Sequence, residues 1–335
     1  MVIDNNFYMR LALREAWKYQ GLTYPNPAVG CVIVSEHGEI LAVEAHHKAG
    51  FPHAEVNALK QAYFKLTQDT SILTLEVSLD IHTYLLNNHH NIFKNCSVYT
   101  TLEPCSHIGK TPSCATLMSE LGIKKIYVGA LDENEIAQNG NKLLEKNGSE
   151  VYTDVLKEEC DALVYPFKKF LGDKFVFFKW AQRLNGTTDD GIISSELSRK
   201  SVHAMRDVCD LLIIGGNTVR TDRPTLDARL VNGKAPDILI LSRSKEFDKT
   251  IPLFSVEGRK VFVEDNLEKL KEYKNIMIEG SSQMYALTRD VVDYYLCYLA
   301  PSIGGVNGLE RQEDKFEILN VSKESQDIIM WMKRI

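Results

Sequence analysis

Three observations predict a two-domain α/β chain. The 335 residues are 44% hydrophobic and 25% charged, which is ordinary globular composition with enough length for two cores. Short strand-like apolar runs alternate with segments of helical period from one end to the other. The stretch Thr101-Leu102-Glu103-Pro104-Cys105-Ser106-His107-Ile108-Gly109-Lys110-Thr111-Pro112-Ser113-Cys114 ends a strand in a polar, proline-bounded turn that runs into a helix. The net charge is -6 and no Lys or Arg run stands out, so the electrostatic footprint of a nucleic-acid binder is missing. No stretch approaches a membrane span, and residues 1–10 do not read as a signal peptide. Cys31, Cys96, Cys160, Cys209 and Cys297 sit in apolar or helical contexts. They are expected to be free thiols in a reducing cytoplasm.

The first domain is assigned to residues 1–150. Asn5 or Asn6 is expected to cap a helix carrying Tyr8, Leu11, Ala12 and Ala16. Tyr24-Pro25-Asn26-Pro27 is a stiff loop into a strand over 29–34, which turns at His37-Gly38 into a second strand over 40–43. His46-His47 reads as surface polar. A helix starts at Pro52 or His53 with Val56, Leu59, Ala62 and Tyr63 inward. Residues 69–95 read as an inserted excursion at the surface, and His82, His89 and His90 within it as poor metal candidates. Strands over 97–102, 126–129 and 151–153 and a helix over 113–121 complete a mainly parallel, mixed sheet.

A Lys-rich helix over 157–171 ends at Gly172-Asp173, and the second domain is assigned to 172–335. Strands are expected over 175–180, 211–215, 237–241, 260–263, 275–279 and 292–299, with a helix over 195–208. Gly280-Ser281-Ser282 opens another helix, and 316–333 supplies a final hairpin.

His53, Cys105 and Cys114 are the inventory of a catalytic zinc site, with three protein ligands and one open position. A zinc ion there lowers the pKa of water from near 16 to about 7. Glu55 is two residues from His53, so the two side chains point different ways. Glu55 is then free to take the water proton and pass it to a ring nitrogen and a leaving amine. The His-x-Glu … Pro-Cys … Cys order is that of zinc-dependent base deaminases, which usually show Pro-Cys-x-x-Cys. Here eight residues separate the cysteines, leaving room for substrate contacts from His107 and Lys110. A closed structural zinc site would need a fourth Cys or His, and none is well placed.

Residues 24–34 (YPNPAVGCVIV), 52–59 (PHAEVNAL) and 101–114 (TLEPCSHIGKTPSC) resemble the bifunctional deaminase/reductase of riboflavin biosynthesis. The resemblance implies a cytidine-deaminase-like first domain and a dihydrofolate-reductase-like second domain. It implies zinc-dependent hydrolytic removal of the 2-amino group of 2,5-diamino-6-(ribosylamino)-4(3H)-pyrimidinone 5'-phosphate. NADPH reduction of the ribosyl to a ribityl chain would follow. By motif, His53, Cys105 and Cys114 would bind zinc, Glu55 would shuttle protons, and Asn26, His107 and Lys110 would contact substrate. The second half resembles the family through Lys179–Gly186, Arg206, Thr218, residues 222–226, Arg229 and Ile278-Glu279-Gly280. There Lys179, Asp222 and Glu279 would hold the ribosylamino group, and Arg206 and Arg229 the phosphate. Ala181, Ile192, Thr218, Ser242 and the turn Gly280-Ser281-Ser282 would meet NADPH. The resemblance also implies association between copies through the reductase domain.

Departures from the family pattern keep alternatives open. Arg183 and Asn185 stand where the family has Ser and Asp, the loop 187–191 is short, and Ser281 replaces a Gly. Asp189 and Asp190 would repel a cofactor phosphate that faced them. One alternative is an active deaminase beside a silent reductase-like domain. Another is a tRNA or nucleobase deaminase, against which stand the acidic charge, the long Cys–Cys loop and the large second domain.

Overall fold

The computed structural model describes residues 3–107, 112–134, 139–309 and 313–335, and the chain divides into two compact units, Met1–Leu171 and Gly172–Ile335. The first begins with α1 (Asn5–Trp17). Its cap is Asp4, one residue ahead of the expected Asn5, because the Asp4 carboxylate accepts from the Phe7 N–H. Five strands follow: β1 (Gly30–Val34), β2 (Ile40–Ala45), β3 (Ser97–Leu102), β4 (Lys125–Ala130) and β5 (Glu150–Tyr152). The sheet order is β2-β1-β3-β4-β5. β1 pairs antiparallel with β2 and β3, whereas β3–β4 and β4–β5 are parallel. The sheet is thus mixed in equal parts rather than mainly parallel, since the first hairpin enters it at β1.

The five residues of β1 are all buried because α1 and α2 (Ala54–Thr67) pack against this edge of the sheet. Gly30 permits the approach: a Cβ there would lie 2.0 Å from the Ala12 carbonyl oxygen. Tyr99, Tyr127 and Tyr152 occupy one row across β3, β4 and β5, with stacked rings at 4.5 and 4.8 Å. The remaining helices of this unit are α3 (Ser78–Asn88), α4 (Cys114–Glu120), α5 (Gly140–Lys146) and α6 (Lys157–Gly172). The inserted segment is not a loose excursion. It forms a 3-10 turn (Thr70–Thr74) and α3, and it buries Ile72, Ile81, Leu85 and Phe93 completely. Its apolar residues recur at helical spacing, so α3 has a face to bury, and that face packs on α2 and α4.

The second unit holds β6 (Phe175–Arg183), α7 (Glu196–Val208), β7 (Leu211–Gly215), α8 (Gly216–Asp222), β8 (Asp237–Leu241), β9 (Val261–Glu264), β10 (Asn275–Glu279), α9 (Ser282–Thr288), β11 (Tyr294–Ala300), β12 (Phe316–Glu324) and β13 (Asp327–Arg334). The sheet runs β12-β13-β11-β6-β10-β7-β8-β9. From β11 to β9 every pair is parallel, and the terminal hairpin adds two antiparallel strands at the β11 edge. Central strands covered on both faces read as continuous apolar runs, as 211–215 and 237–241 do. Asp327 ties the hairpin to the start of α7, accepting from the Ser195 N–H at 2.7 Å and the Ser198 hydroxyl at 2.6 Å. All seven cysteines are free and buried. Among the described residues no helix is long and apolar enough to cross a membrane.

Candidate active site

His53 is the N-cap of α2, with extended backbone, so its side chain leaves the helix axis while Glu55 sits in the first turn behind it. Cys105 follows the end of β3, and Cys114 is the first residue of α4. The two segments are locked together. The Cys105 carbonyl accepts from the Ala115 N–H at 3.1 Å and the Ser113 hydroxyl at 2.9 Å, and the Cys114 N–H points at the Cys105 sulfur at 3.4 Å. Gly140 lets α5 close on this turn, since a Cβ there would lie 1.7 Å from the Pro104 carbonyl oxygen.

His53 Nδ1 lies 3.7 Å from the Cys105 sulfur and 3.5 Å from the Cys114 sulfur. Two donors on one tetrahedral zinc, one sulfur and one nitrogen, stand about 3.6 Å apart at ordinary bond lengths. The three donor atoms lie within 4.8 Å of one another and form the one such group of three among the described residues. Donor chemistry and spacing both fit zinc.

The electrostatics of the cluster favour charge. Cys105 is pulled down to about 4, first by its hydrogen bond with Cys114, and then, against burial, by His53. Cys114 goes up, first through its hydrogen bond with Cys105 and then through burial. The direction that matters is that the pair gives up one proton readily, as metal ligation requires. Burial lowers the His53 pKa, but the hydrogen bond and charge of Cys105 reverse this, so it is raised. Glu55 is 4% exposed, and burial pushes it up to about 7 against the pull of His53. A carboxyl near neutrality gives and takes protons at similar cost.

His53, Glu55 and Cys105 line a cleft of about 350 Å³. Asn26 lines it too, as expected, in the loop after a cis Tyr24–Pro25 peptide. His107 reaches the cleft with a buried Nδ1 that has no hydrogen-bond partner among the described residues. Lys110 lies outside the described residues. His46 corrects the surface reading of the His46-His47 pair: it is 2% exposed and lines the cleft, while His47 is exposed. Its ring bridges the Pro52 carbonyl at 3.0 Å and the Asn26 amide at 3.1 Å. Burial pushes it down to about 4, so it is neutral and fixes Asn26.

Asp132 and Asn134 also line the cleft, and sequence reasoning missed them. Both lie just past β4, at the carboxyl end of the parallel pair that delivers Cys105, where ligands of such sheets gather. That position was the available signal. Glu103 braces the same loop, accepting from the Asp132 N–H at 3.2 Å and the Asn141 N–H at 3.0 Å.

In the second unit the structure brings Lys179, Glu279 and Arg206 together. Lys179 and Glu279 are register partners on β6 and β10, with Nζ 3.7 Å from the carboxylate. Arg206, from α7, meets the same carboxylate through Nη2 at 2.7 Å and Nε at 2.8 Å. Burial lowers the Lys179 pKa. Burial also opposes charge on Glu279, but Arg206 and Lys179 outweigh it and hold its carboxyl below the ordinary range. Arg206 is thus engaged by Glu279 instead of standing free. Thr218 lies on α8, whose first residue abuts Ser242: a Cβ on Gly216 would sit 2.6 Å from the Ser242 side chain. Gly280-Ser281-Ser282 leads from β10 into α9, and Ala181 is half-buried on β6. Arg229 is exposed and paired with Asp227 at 2.5 Å, while Asp222 and Ile192 are exposed.

The departing residues form a brace. Arg183 is 8% exposed and donates to the main-chain carbonyls of Asp189 at 2.5 Å and Asp190 at 2.6 Å. The Asp189 carboxylate accepts from the N–H groups of Val306 at 2.9 Å and Asn307 at 3.1 Å. Its charge is satisfied by the 306–307 loop.

Comparison with known proteins agrees with this geometry. Residues 3–130 match the model of the cytidine and deoxycytidylate deaminase zinc-binding region, and residues 174–329 match the RibD C-terminal domain. The riboflavin biosynthesis protein RibD of Aquifex aeolicus is 31% identical, over 99% of both chains. That of Actinobacillus pleuropneumoniae is 32% identical, over 89% of this chain and 84% of the relative. A solved diaminohydroxyphosphoribosylaminopyrimidine deaminase/5-amino-6-(5-phosphoribosylamino)uracil reductase from Thermotoga maritima superposes with a TM-score of 0.64 at 27% identity, covering 99% of each chain. Acinetobacter baumannii RibD gives 0.63 at 25% identity, again over 99% of each. The chain therefore belongs to the RibD family of riboflavin-biosynthesis enzymes, with a zinc-binding deaminase domain followed by an NADPH-dependent reductase domain.

Proposed function

We propose that the first unit deaminates 2,5-diamino-6-(ribosylamino)-4(3H)-pyrimidinone 5'-phosphate and that the second reduces the ribosyl of the product to ribityl. The observation that carries the first step is the placing of Glu55 behind a three-donor cluster at the wall of one cleft. His53, Cys105 and Cys114 hold the zinc, which when bound supplies the Lewis acidity that makes water nucleophilic near neutral pH. Glu55 takes a proton from the attacking water and delivers it to the ring nitrogen. It then carries the second proton to the departing amine, so water and the aminopyrimidine become ammonia and the pyrimidinedione. Asn26, fixed by His46, and His107 orient the pyrimidine. Lys110 is the sequence-based candidate for the ribose phosphate.

In the second unit NADPH, when bound, would supply the hydride. Lys179 and Glu279, side by side at the carboxyl edge of a parallel sheet, hold the ribosylamino group, with Asp222 as the third sequence-based candidate. Arg206 keeps Glu279 ionised, which makes its contribution to the phosphate indirect. Arg229 is the remaining phosphate partner. Ala181, Ile192, Thr218, Ser242 and the Gly280-Ser281-Ser282 turn form the cofactor side. The substrate is a small molecule, and free buried cysteines suit a cytoplasmic setting.

A paired time course on the zinc-loaded chain tests both steps, following ammonia release and NADPH oxidation with the diaminopyrimidine ribotide. Ammonia release followed by NADPH loss is expected. Ammonia without NADPH loss would leave the second domain silent, and absence of both from zinc-loaded protein would sink the reading.

A further inference from the structure

Glu103 is a buried carboxylate with no cation beside it. It is 8% exposed, and its hydrogen bonds among the described residues go to main-chain N–H groups alone. It shares its cleft with the carboxylates of Glu55 and Asp132. Like charges in one site disfavour each other, so a neutral side chain would be favoured unless the carboxylate does what a neutral group cannot. Its partners supply the reason. Oε2 accepts from the Asp132 N–H at 3.2 Å, and Oε1 accepts from the Asn141 N–H at 3.0 Å. Both partners are donors, and an ionised carboxylate only accepts, at both oxygens. A glutamine would set its own NH2 against one of these N–H groups and leave that donor unpaired.

The bonds run on toward the cleft. The Glu103 N–H donates to the Ala130 carbonyl at 2.9 Å, which extends the pairing of β3 with β4. The Asp132 carboxylate in turn accepts from the Asn134 N–H at 2.9 Å. Glu103, Asp132 and Asn134 all line the cleft. In the other direction Cys105 lies two residues further along the chain. We propose that Glu103 is a positioning residue of the deaminase: by holding the Asp132 and Asn141 N–H groups together, it fixes where the Asp132 and Asn134 side chains stand relative to Cys105. The wall that meets the pyrimidine ribotide is thereby set in register with the metal ligand. The inference rests on reading this cleft as the deaminase site.

The test is steady-state ammonia release by the full zinc-loaded chain from the diaminopyrimidine ribotide, with zinc content and melting temperature measured on the same samples. Glu103→Gln is expected to raise KM about 10- to 100-fold, the scale of a small misplacement, and to keep kcat near the parent with zinc retained. If Glu103→Gln does not fold, Glu103→Asp serves: it still only accepts but is too short to hold both N–H groups, so the same rise is expected. Asp132→Ala is expected to raise KM as well, and the double variant to fall short of the product of the two single effects, because Glu103 acts through Asp132. Leu144→Ala, in the core beneath α5, is expected to lower the melting temperature and leave KM unchanged. The proposal is overturned if Glu103→Gln keeps the parent KM, or if its kcat falls in step with lost zinc at unchanged KM. It is equally overturned if the two single effects multiply, or if Leu144→Ala raises KM as much, because the effect is then packing. Failure of the zinc-loaded parent itself to release ammonia would instead strike the deaminase reading.

Discussion

At the scale of single residues, the balance of charge and burial decides what the second site can do. Glu279, its side chain 13% exposed, lies between Arg206 and Lys179, and removing its charge leaves two cations without their shared partner. Glu279→Gln is expected to destabilise the second unit by about 3–5 kcal/mol, read from urea unfolding. His203 belongs to the same neighbourhood. Its Nδ1 accepts from the Leu230 N–H at 3.5 Å, and burial, then the charge of Arg206, push its pKa from 6.5 to about 4. As pH falls, the unfolded chain takes this proton first. The stability that neutral His203 contributes is therefore full above pH 6.5 and is lost progressively as pH falls toward about 4. Melting temperatures across that window should fall for the parent and fall less for His203→Gln.

At the scale of elements, the sequence showed what is local. His53 with Glu55, and Cys105 with Cys114, were legible because each pair sits in a short motif that leads into a helix start, at α2 and at α4. His46, Asp132 and Asn134 were not, because what makes them part of the cleft is tertiary: the contacts of His46 with Asn26 and Pro52, and the pairing of β3 with β4. The burial of α3 was likewise hidden: its apolar face is visible, but not the gap between α2 and α4 that it fills. α5 was missed outright, being seven residues without strong period. It has a structural role that Gly140 exposes. Gly140→Ala is expected to push α5 off the Pro104 turn, costing more than the ~1–3 kcal/mol typical of overpacking, and to weaken zinc retention during dialysis against chelator.

At the scale of the whole molecule, two compact units carry two chemistries, and only the first holds the metal cluster among the described residues. Zinc removal should therefore separate them. Chelated protein is expected to release no ammonia from the diaminopyrimidine ribotide, yet to oxidise NADPH when given the already deaminated product. Loss of both activities on chelation would mean that the second site depends on the first. The central claim is that Glu55 moves the protons while His53, Cys105 and Cys114 hold the metal. The most direct measurement is ammonia release by Glu55→Gln, with zinc content determined on the same sample. One zinc per chain should remain, with release falling by about 10²–10⁴-fold. Release near the parent rate from zinc-loaded Glu55→Gln would contradict the assignment.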